Sequence, residues 1–440
     1  MEEQPQLIDG ATVTPFDTSS TEPLYLLHLP GGKKIQISQD LCTVIHLLDG
    51  ERSKRDIARE LSEQWERKVD EREVSWIIDE KLSPSGIIAG RDSQQASGNS
   101  SDKAKGPLSM LFQVPLFSEK QLWPLTSVGQ LLFARPVVIG VLILAVVAHV
   151  LAYIQLRAAM PAFKLNDLRG DGSLAILLLT GLSAIVHEFG HLSACHRYGV
   201  RYGKLGFGLY MFSPVGYVDV TDSWRLPRWR RVVVDLGGIY FQLILNIVLY
   251  VLYLSFGKPV FLLTIIAVSA MFVANLNPMF KYDGYWALSD AIGVPNLHKR
   301  VGDLWRQILP IPGVKQATAF LQTHTYAKAV MWIYALIVTA YFGYFTWMII
   351  WFAPVFIRDY PSLLITTYTE VRQSIAAGEM VVALGSAFQA LFSTFLLVGL
   401  VLFVKRFTLS LFRLGKGAVS FARDQWQHRH SEREVNVPSA

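Results

Sequence analysis

Six apolar stretches set the terms for this chain: residues 137–156, 174–194, 236–256, 260–280, 330–357 and 381–404. Each holds about 20 or more mostly apolar residues, the length at which an α-helix crosses the hydrocarbon of a bilayer. Lipid offers the backbone no water, so such stretches must be helices that satisfy their own peptide groups. The last two exceed the minimum and can tilt. Only 17% of the 440 residues are charged, against roughly 25% in soluble domains.

Basic residues sort by loop. Arg197, Arg201, Lys204, Arg225, Arg228, Arg230 and Arg231 crowd the connection between the second and third stretches, and only Lys258 follows the third. Lys299, Arg300, Arg306, Lys315 and Lys328 follow the fourth, and Arg358 and Arg372 stand alone after the fifth. The tail 405–440 is basic again. Cytoplasmic loops collect Lys and Arg, so the alternation predicts six spans with both termini in the cytoplasm. The net charge of +6 belongs to that pattern and does not call for nucleic acid. Cys42 and Cys195 give no disulfide framework. The polar start Met1-Glu2-Glu3-Gln4 has no apolar signal core.

Residues 1–92 read as a small α+β domain. "PLYLLHLPGGKKIQIS" gives two strand-like runs around Pro30-Gly31-Gly32, a hairpin signal. A helix starts near Ser38 and stops at Gly50. A second places Ile57, Leu61 and Trp65 four apart, and "DEREVSWIIDEKL" is a third. Hairpin plus three helices is a winged-helix-like unit. Lys54, Arg55 and Arg59 are offset by Glu51, Asp56, Glu60 and Glu63, so no basic stripe for DNA emerges. Residues 93–107, rich in Ser, Gln, Gly and Asn, read as a flexible linker. The membrane core is expected over 108–300 and further spans over 301–404.

The second stretch ends on "HEFGH". His187 and His191, four apart on a helix, share one face and can reach one metal ion. Glu188 sits where its carboxylate can take a proton from water. Ionisable groups at membrane depth cost several kcal/mol without a purpose. Zinc in a catalytic site needs a third protein ligand and an open position. The fourth stretch breaks at Asn277-Pro278 and is followed by Asp283-Gly284. Proline interrupts a helix, and broken helices at membrane depth line cavities. Asp283 either completes a His-His-Asp site or begins a loop beside Lys281. Asn277 either hydrogen-bonds substrate or orients a ligand. Between the second and third stretches, "GFGLYMFSPVGYVDVTD" reads as a hairpin, either an ordinary one or an edge that holds an extended substrate.

HExxH near the end of one span, with Asn-Pro and then Asp-Gly at the end of a later one, resembles the site-2 protease family of intramembrane zinc metalloproteases. The resemblance covers about residues 135–300. It implies one Zn²⁺ per chain held by His187, His191 and Asp283, with Glu188 as catalytic base. The family's Gly-Pro-x-x-Asn pattern is replaced here by "GGIYFQ". Gln242 stands where Asn is usual, which makes it a candidate oxyanion donor, with Asn246 a turn beyond. Residues 1–92 resemble the PqqD-like domains that hold the leaders of ribosomally made peptides. Together these imply an enzyme of the bacterial plasma membrane that cleaves a modified peptide precursor during maturation or export, with the leader bound at the front domain. Cleavage of a membrane-bound signalling protein, or a non-catalytic exporter subunit, are the rival functions.

Overall fold

A computed structural model of the chain describes residues 4–30, 32–89, 112–159, 171–210, 213–308, 323–380, 382–402, 404, 405 and 409. The expected linker 93–107 lies outside them, as does the tail 405–440 apart from residues 405 and 409.

The front domain opens with an antiparallel meander of β1 (Thr12–Phe16), β2 (Leu24–His28) and β3 (Lys34–Ser38), in that order. Strand β1 is one strand more than the hairpin read from the sequence. Its Pro15 masks the pattern, and an edge strand tolerates proline because one row of N–H groups has no ladder to serve. Helix α1 (Gln39–His46) is capped by the Ser38 side chain, which accepts from the Leu41 N–H. Helix α2 (Lys54–Gln64) starts with a reciprocal Ser53–Asp56 capping box, and α3 (Glu71–Trp76) is capped by Asp70. Leu27, Ile37, Val44, Ile57, Leu61 and Ile78 form the core between sheet and helices. The opposite sheet face is covered too, since Leu26 is 0% and His28 5% exposed.

Strand β4 (Phe112–Phe117) and helix α4 (Glu119–Gly129) precede the first span, α5 (Arg135–Ala159). Then come α6 (Asp171–Arg197), the hairpin β5 (Leu205–Tyr210) and β6 (Ser213–Val218), α7 (Arg228–Asp235), α8 (Gly237–Phe256), α9 (Pro259–Asn275) and α10 (Asp283–Ile292). The second sheet runs β4-β5-β6, which leaves one edge of β6 unpaired within it. The chain continues through α11 (Leu297–Ile308), α12 (Thr325–Ala376) and α13 (Val382–Leu402).

Among the described residues five helices, α5, α6, α8, α12 and α13, are long and apolar enough to cross a membrane. The fourth expected span, 260–280, is shorter: α9 stops at Asn275 after 17 residues. Pro278 disfavours helical backbone at the residue before it, so the last turn of the expected span becomes loop. Helix α12 is instead longer than read, at 52 residues. At 1.5 Å per residue it spans about 78 Å.

The chain forms two compact units. One holds the front domain, both sheets, α4 to α10 (α6 from Ile176) and residues 323–327; the other holds α11, the rest of α12 and α13. In the second unit Trp305 Nε1 donates to Thr339 Oγ1 and Tyr360 donates to Thr394 Oγ1. In the first, α5 turns Ala148 and Ala152 inward against Leu249 and Tyr250 of α8 and Leu262 and Ile265 of α9. Ile139, Ile143 and Val146 point outward, each at least 60% exposed. Small residues inside and large apolar ones outside is the pattern of helices packed in lipid.

A polar cluster crosses that packing. His149 Nδ1 lies 2.7 Å from the Ala145 carbonyl, which can only accept. The imidazole is therefore protonated on Nδ1 and accepts on Nε2 from Asn246 Nδ2 at 3.0 Å. The same amide reaches Ser269 Oγ at 3.3 Å. Three helices, α5, α8 and α9, are thus joined by side-chain hydrogen bonds, each worth about 0.6 to 1.7 kcal/mol in a bilayer. Asn246→Leu should lower the thermal midpoint of the solubilised protein by a few degrees. His149→Phe added to it should cost little more, and a melting series on both single variants and the double variant checks this.

Candidate metal centre

The site is built where α6 crosses α8. A Cβ on Gly190 would lie 2.1 Å from the Gly237 carbonyl oxygen, and one on Gly237 would lie 2.8 Å from that of Gly190. The two backbones touch, so only glycine fits at either position. One residue on, a Cβ on Gly238 would fall 2.5 Å from the His187 ring. Gly190 therefore makes room for a neighbouring helix, and Gly238 makes room for the His187 imidazole. His187 and His191 are each 6% exposed. Their Nε2 atoms face each other at 3.2 Å, with the rings nearly perpendicular.

Asp283 arrives from the far side. After α9 ends, Asn277 Oδ1 accepts from the Met279 N–H at 3.0 Å and shapes the turn. The chain then doubles back so tightly that a Cβ on Gly284 would lie 2.1 Å from the Leu276 carbonyl oxygen. Asp283, the first residue of α10, is delivered beside the histidines. Its carboxylate lies 2.9 Å from His187 Nε2 and 3.7 Å from His191 Nε2. The three donor atoms fall within 4.8 Å of one another, and among the described residues this is the cluster that could hold a metal ion. With zinc–ligand bonds of about 2.05 Å, tetrahedral donors stand about 3.3 Å apart. The two imidazole nitrogens stand 3.2 Å apart, and the Asp283 carboxylate turns Oδ2 toward His187 at 2.9 Å and Oδ1 toward His191 at 3.7 Å, all close to that spacing. The donor set fits zinc.

The protein also fixes which nitrogen is free to bind. His191 Nδ1 lies 2.8 Å from the carbonyl oxygen of Val234, on α7. His187 Nδ1 lies 3.2 Å from Gln242 Oε1, whose amide nitrogen donates to Ser183 Oγ at 3.0 Å. A carbonyl oxygen only accepts, so both imidazoles donate from Nδ1 and turn Nε2 toward the centre. Such outer partners orient the ligands and raise their basicity. Gln242, 0% exposed, is thereby committed on both ends of its amide, and Asn246 is taken by His149.

A cavity of about 660 Å³ opens on this centre, lined by His187, Glu188, His191, Gln242 and Asp283. Its wall is the edge of β6: Gly216, Tyr217 and Val218. A Cβ on Gly216 would sit 2.7 Å from Glu188 Cγ, so the strand passes directly over that carboxylate. Asn277 is not among the lining residues. Asn275, two residues earlier, is, together with Met271 one turn before it. The sequence signal for Asn275 was its i, i+4 spacing from Met271, which the Asn-Pro pair overshadowed. Trp224, Trp286, Asp235 and Asp290 line the cavity as well and were not read from the sequence. Burial, ahead of the nearby Asp290 and Asp283 charges, holds Asp235 well above the ordinary carboxylate range. Asp290 is paired with Arg231 at 2.8 Å.

Residues 175–420 match the sequence pattern of peptidase family M50, more than half of the chain, and the front domain lies outside that match. The putative peptide zinc metalloprotease protein YydH of Bacillus subtilis is 26% identical over 115 residues. That alignment takes in 26% of this chain and 45% of the relative, so the chain spans less than half of the curated protein it matches. No solved structure matches.

Two substitutions test the centre. Gly238→Val should displace the His187 ring and empty the purified protein of metal, as read by elemental analysis. Gln242→Leu should weaken metal retention about 10- to 100-fold, whereas Gln242→Glu, which keeps an acceptor toward His187, should retain it. Loss of activity with full metal affinity in Gln242→Glu would instead mark the amide as a donor to substrate.

Proposed function

The chain belongs to peptidase family M50, and on that premise we propose that it hydrolyses a peptide bond within or beside a membrane, using one zinc ion held by His187, His191 and Asp283. The observation that carries this reading is the convergence of two imidazole nitrogens and a carboxylate from separate helices, with Glu188 in the same cavity. A zinc ion bound there supplies a Lewis acid that acidifies water and polarises a carbonyl. Glu188, adjacent to the first ligand, takes the proton of the attacking water and returns it to the leaving nitrogen. The two imidazoles hold their orientation throughout, because Gln242 and the Val234 carbonyl engage their Nδ1 atoms. With Gln242 engaged by His187 and Ser183, the amide of Asn275 is the side chain free to steady the scissile carbonyl. The unpaired edge of β6 holds the substrate extended by strand addition, which exposes peptide bonds that a helix would hide.

The substrate in this reading is a small, ribosomally made, modified peptide. The printed description of the Bacillus subtilis relative, a putative peptide zinc metalloprotease, agrees with a peptide substrate. The front domain supplies a second open edge, on β3, where a leader adds as a strand. The alternation of basic loops supports an enzyme of the bacterial plasma membrane with both termini in the cytoplasm, a topology that counts the 17-residue α9 as a crossing beside the five longer helices.

Glu188→Gln should keep zinc at one per chain and lower cleavage of a precursor peptide at least about 100-fold. Mass spectrometry of the products beside metal analysis of the same preparation checks both. Unimpaired cleavage by the variant would remove the carboxylate from the mechanism. Full cleavage of a leaderless peptide would remove the front domain from substrate recognition.

A further inference from the structure

Helix α7 is eight residues long, and its two ends serve different parts of the protein. Its C-terminal end reaches the metal centre, where the Val234 carbonyl accepts from His191 Nδ1 and Asp235 lines the cavity. Its N-terminal end is held by the front domain. Asp17 Oδ2 accepts from the Arg228 N–H at 3.0 Å. The Arg228 guanidinium reaches Ser19 Oγ and the Tyr326 hydroxyl.

Arg231 joins the two ends. It is 1% exposed, among the largest fully buried side chains. Its guanidinium donates to the Asp17 carbonyl at 2.8 Å and the Leu226 carbonyl at 3.0 Å. It pairs with Asp290 in the cavity lining. It also lies over the Phe16 ring, 5.0 Å from the centroid. Phe16 in turn stacks at 6.1 Å on Trp224, which forms part of the cavity wall. Lys34, the cross-strand partner of His28, pins the same wall segment through Asp222 and the Thr221 carbonyl. A buried guanidinium needs all its donors met and its charge paired, and here half of that is done by the front domain.

We propose that Arg231 is a positioning residue through which the docked front domain sets α7, and with it the orientation of the His191 imidazole and the Trp224 wall of the cavity. The front domain is on this view part of the active site's frame as well as a candidate peptide holder, and a peptide that alters its seating alters the metal centre. The inference rests on the metalloprotease reading above.

The test uses the full-length protein with Co²⁺ as the probe metal, whose visible spectrum reports ligand geometry. The variants Arg231→Met, Arg231→Lys and the double variant Phe16→Ala with Lys34→Ala are compared with wild type. Arg231→Met should shift the cobalt bands and loosen the metal about 10-fold or more, in line with lost ligand-orienting contacts. Arg231→Lys, which keeps the charge beside Asp290 but not the fork to both carbonyls, should fall between. The double variant alters nothing on α7 or in the metal ligands, and it should shift the same bands in the same direction. Arg67→Ala, on the exposed Arg67–Glu73 pair of the front domain, should leave the spectrum unchanged. A wild-type spectrum in the double variant would overturn the coupling while leaving the metalloprotease reading intact. Failure of wild type to bind one Co²⁺ would overturn both.

Discussion

The contact of Gly190 with Gly237 is the constraint on which the centre depends. Two helices approach until backbone meets backbone, and that closeness lets the His187 ring on α6 lie against Gly238 of α8. Move the helices apart by the width of one methyl group and the His187 ring loses its seat against Gly238 and its contact with Gln242. The polar groups would then sit in a low-dielectric interior without partners, which is costly. Close packing and the candidate site are in this sense one feature, since small residues let the helices meet and the meeting seats the His187 ring.

A second layer converts proximity into chemistry. Each histidine has its far nitrogen occupied by a carbonyl oxygen, one from the α7 backbone and one from a buried glutamine. Neither imidazole can turn its lone pair elsewhere without leaving a buried donor unmet. The tight return at Gly284 does the same for Asp283, because it allows one path back from α9 to α10. Glu188 is treated differently. It has a strand edge above it at Gly216 and no fixed ionic partner among those described, an arrangement that suits a group that moves protons rather than one that holds a cation.

How much of this was legible in the sequence follows from range. The HEFGH face, the break at Asn277-Pro278 and the Asp283-Gly284 return are local patterns, and the residues they marked do converge. The apolar runs gave the helices, although Pro278 shortened α9 below the expected length and nothing in the composition limited α12 to a single span. What stayed hidden is long-range or masked by an atypical residue. Strand β1 carries a proline. Gln242 reads as a substrate contact by position, and its contact with His187 appears only when the helices are placed together. Arg231 reads as one more positive charge in a cytoplasmic loop, since no local pattern distinguishes an arginine in water from one enclosed by residues 214 positions away.

The His149–Asn246–Ser269 cluster bears on how anything reaches the cavity. In hydrocarbon a parted amide and imidazole find no water to replace each other, so α5, α8 and α9 resist being pried apart along that seam. The strand side carries no such lock, for β6 presents an edge already lacking a neighbour in its sheet. The protein is therefore bolted on one flank and presents a strand edge on the other. A guest chain that slides in alongside β6 breaks no bond of the bolt, and lateral passage between those three helices would have to break it.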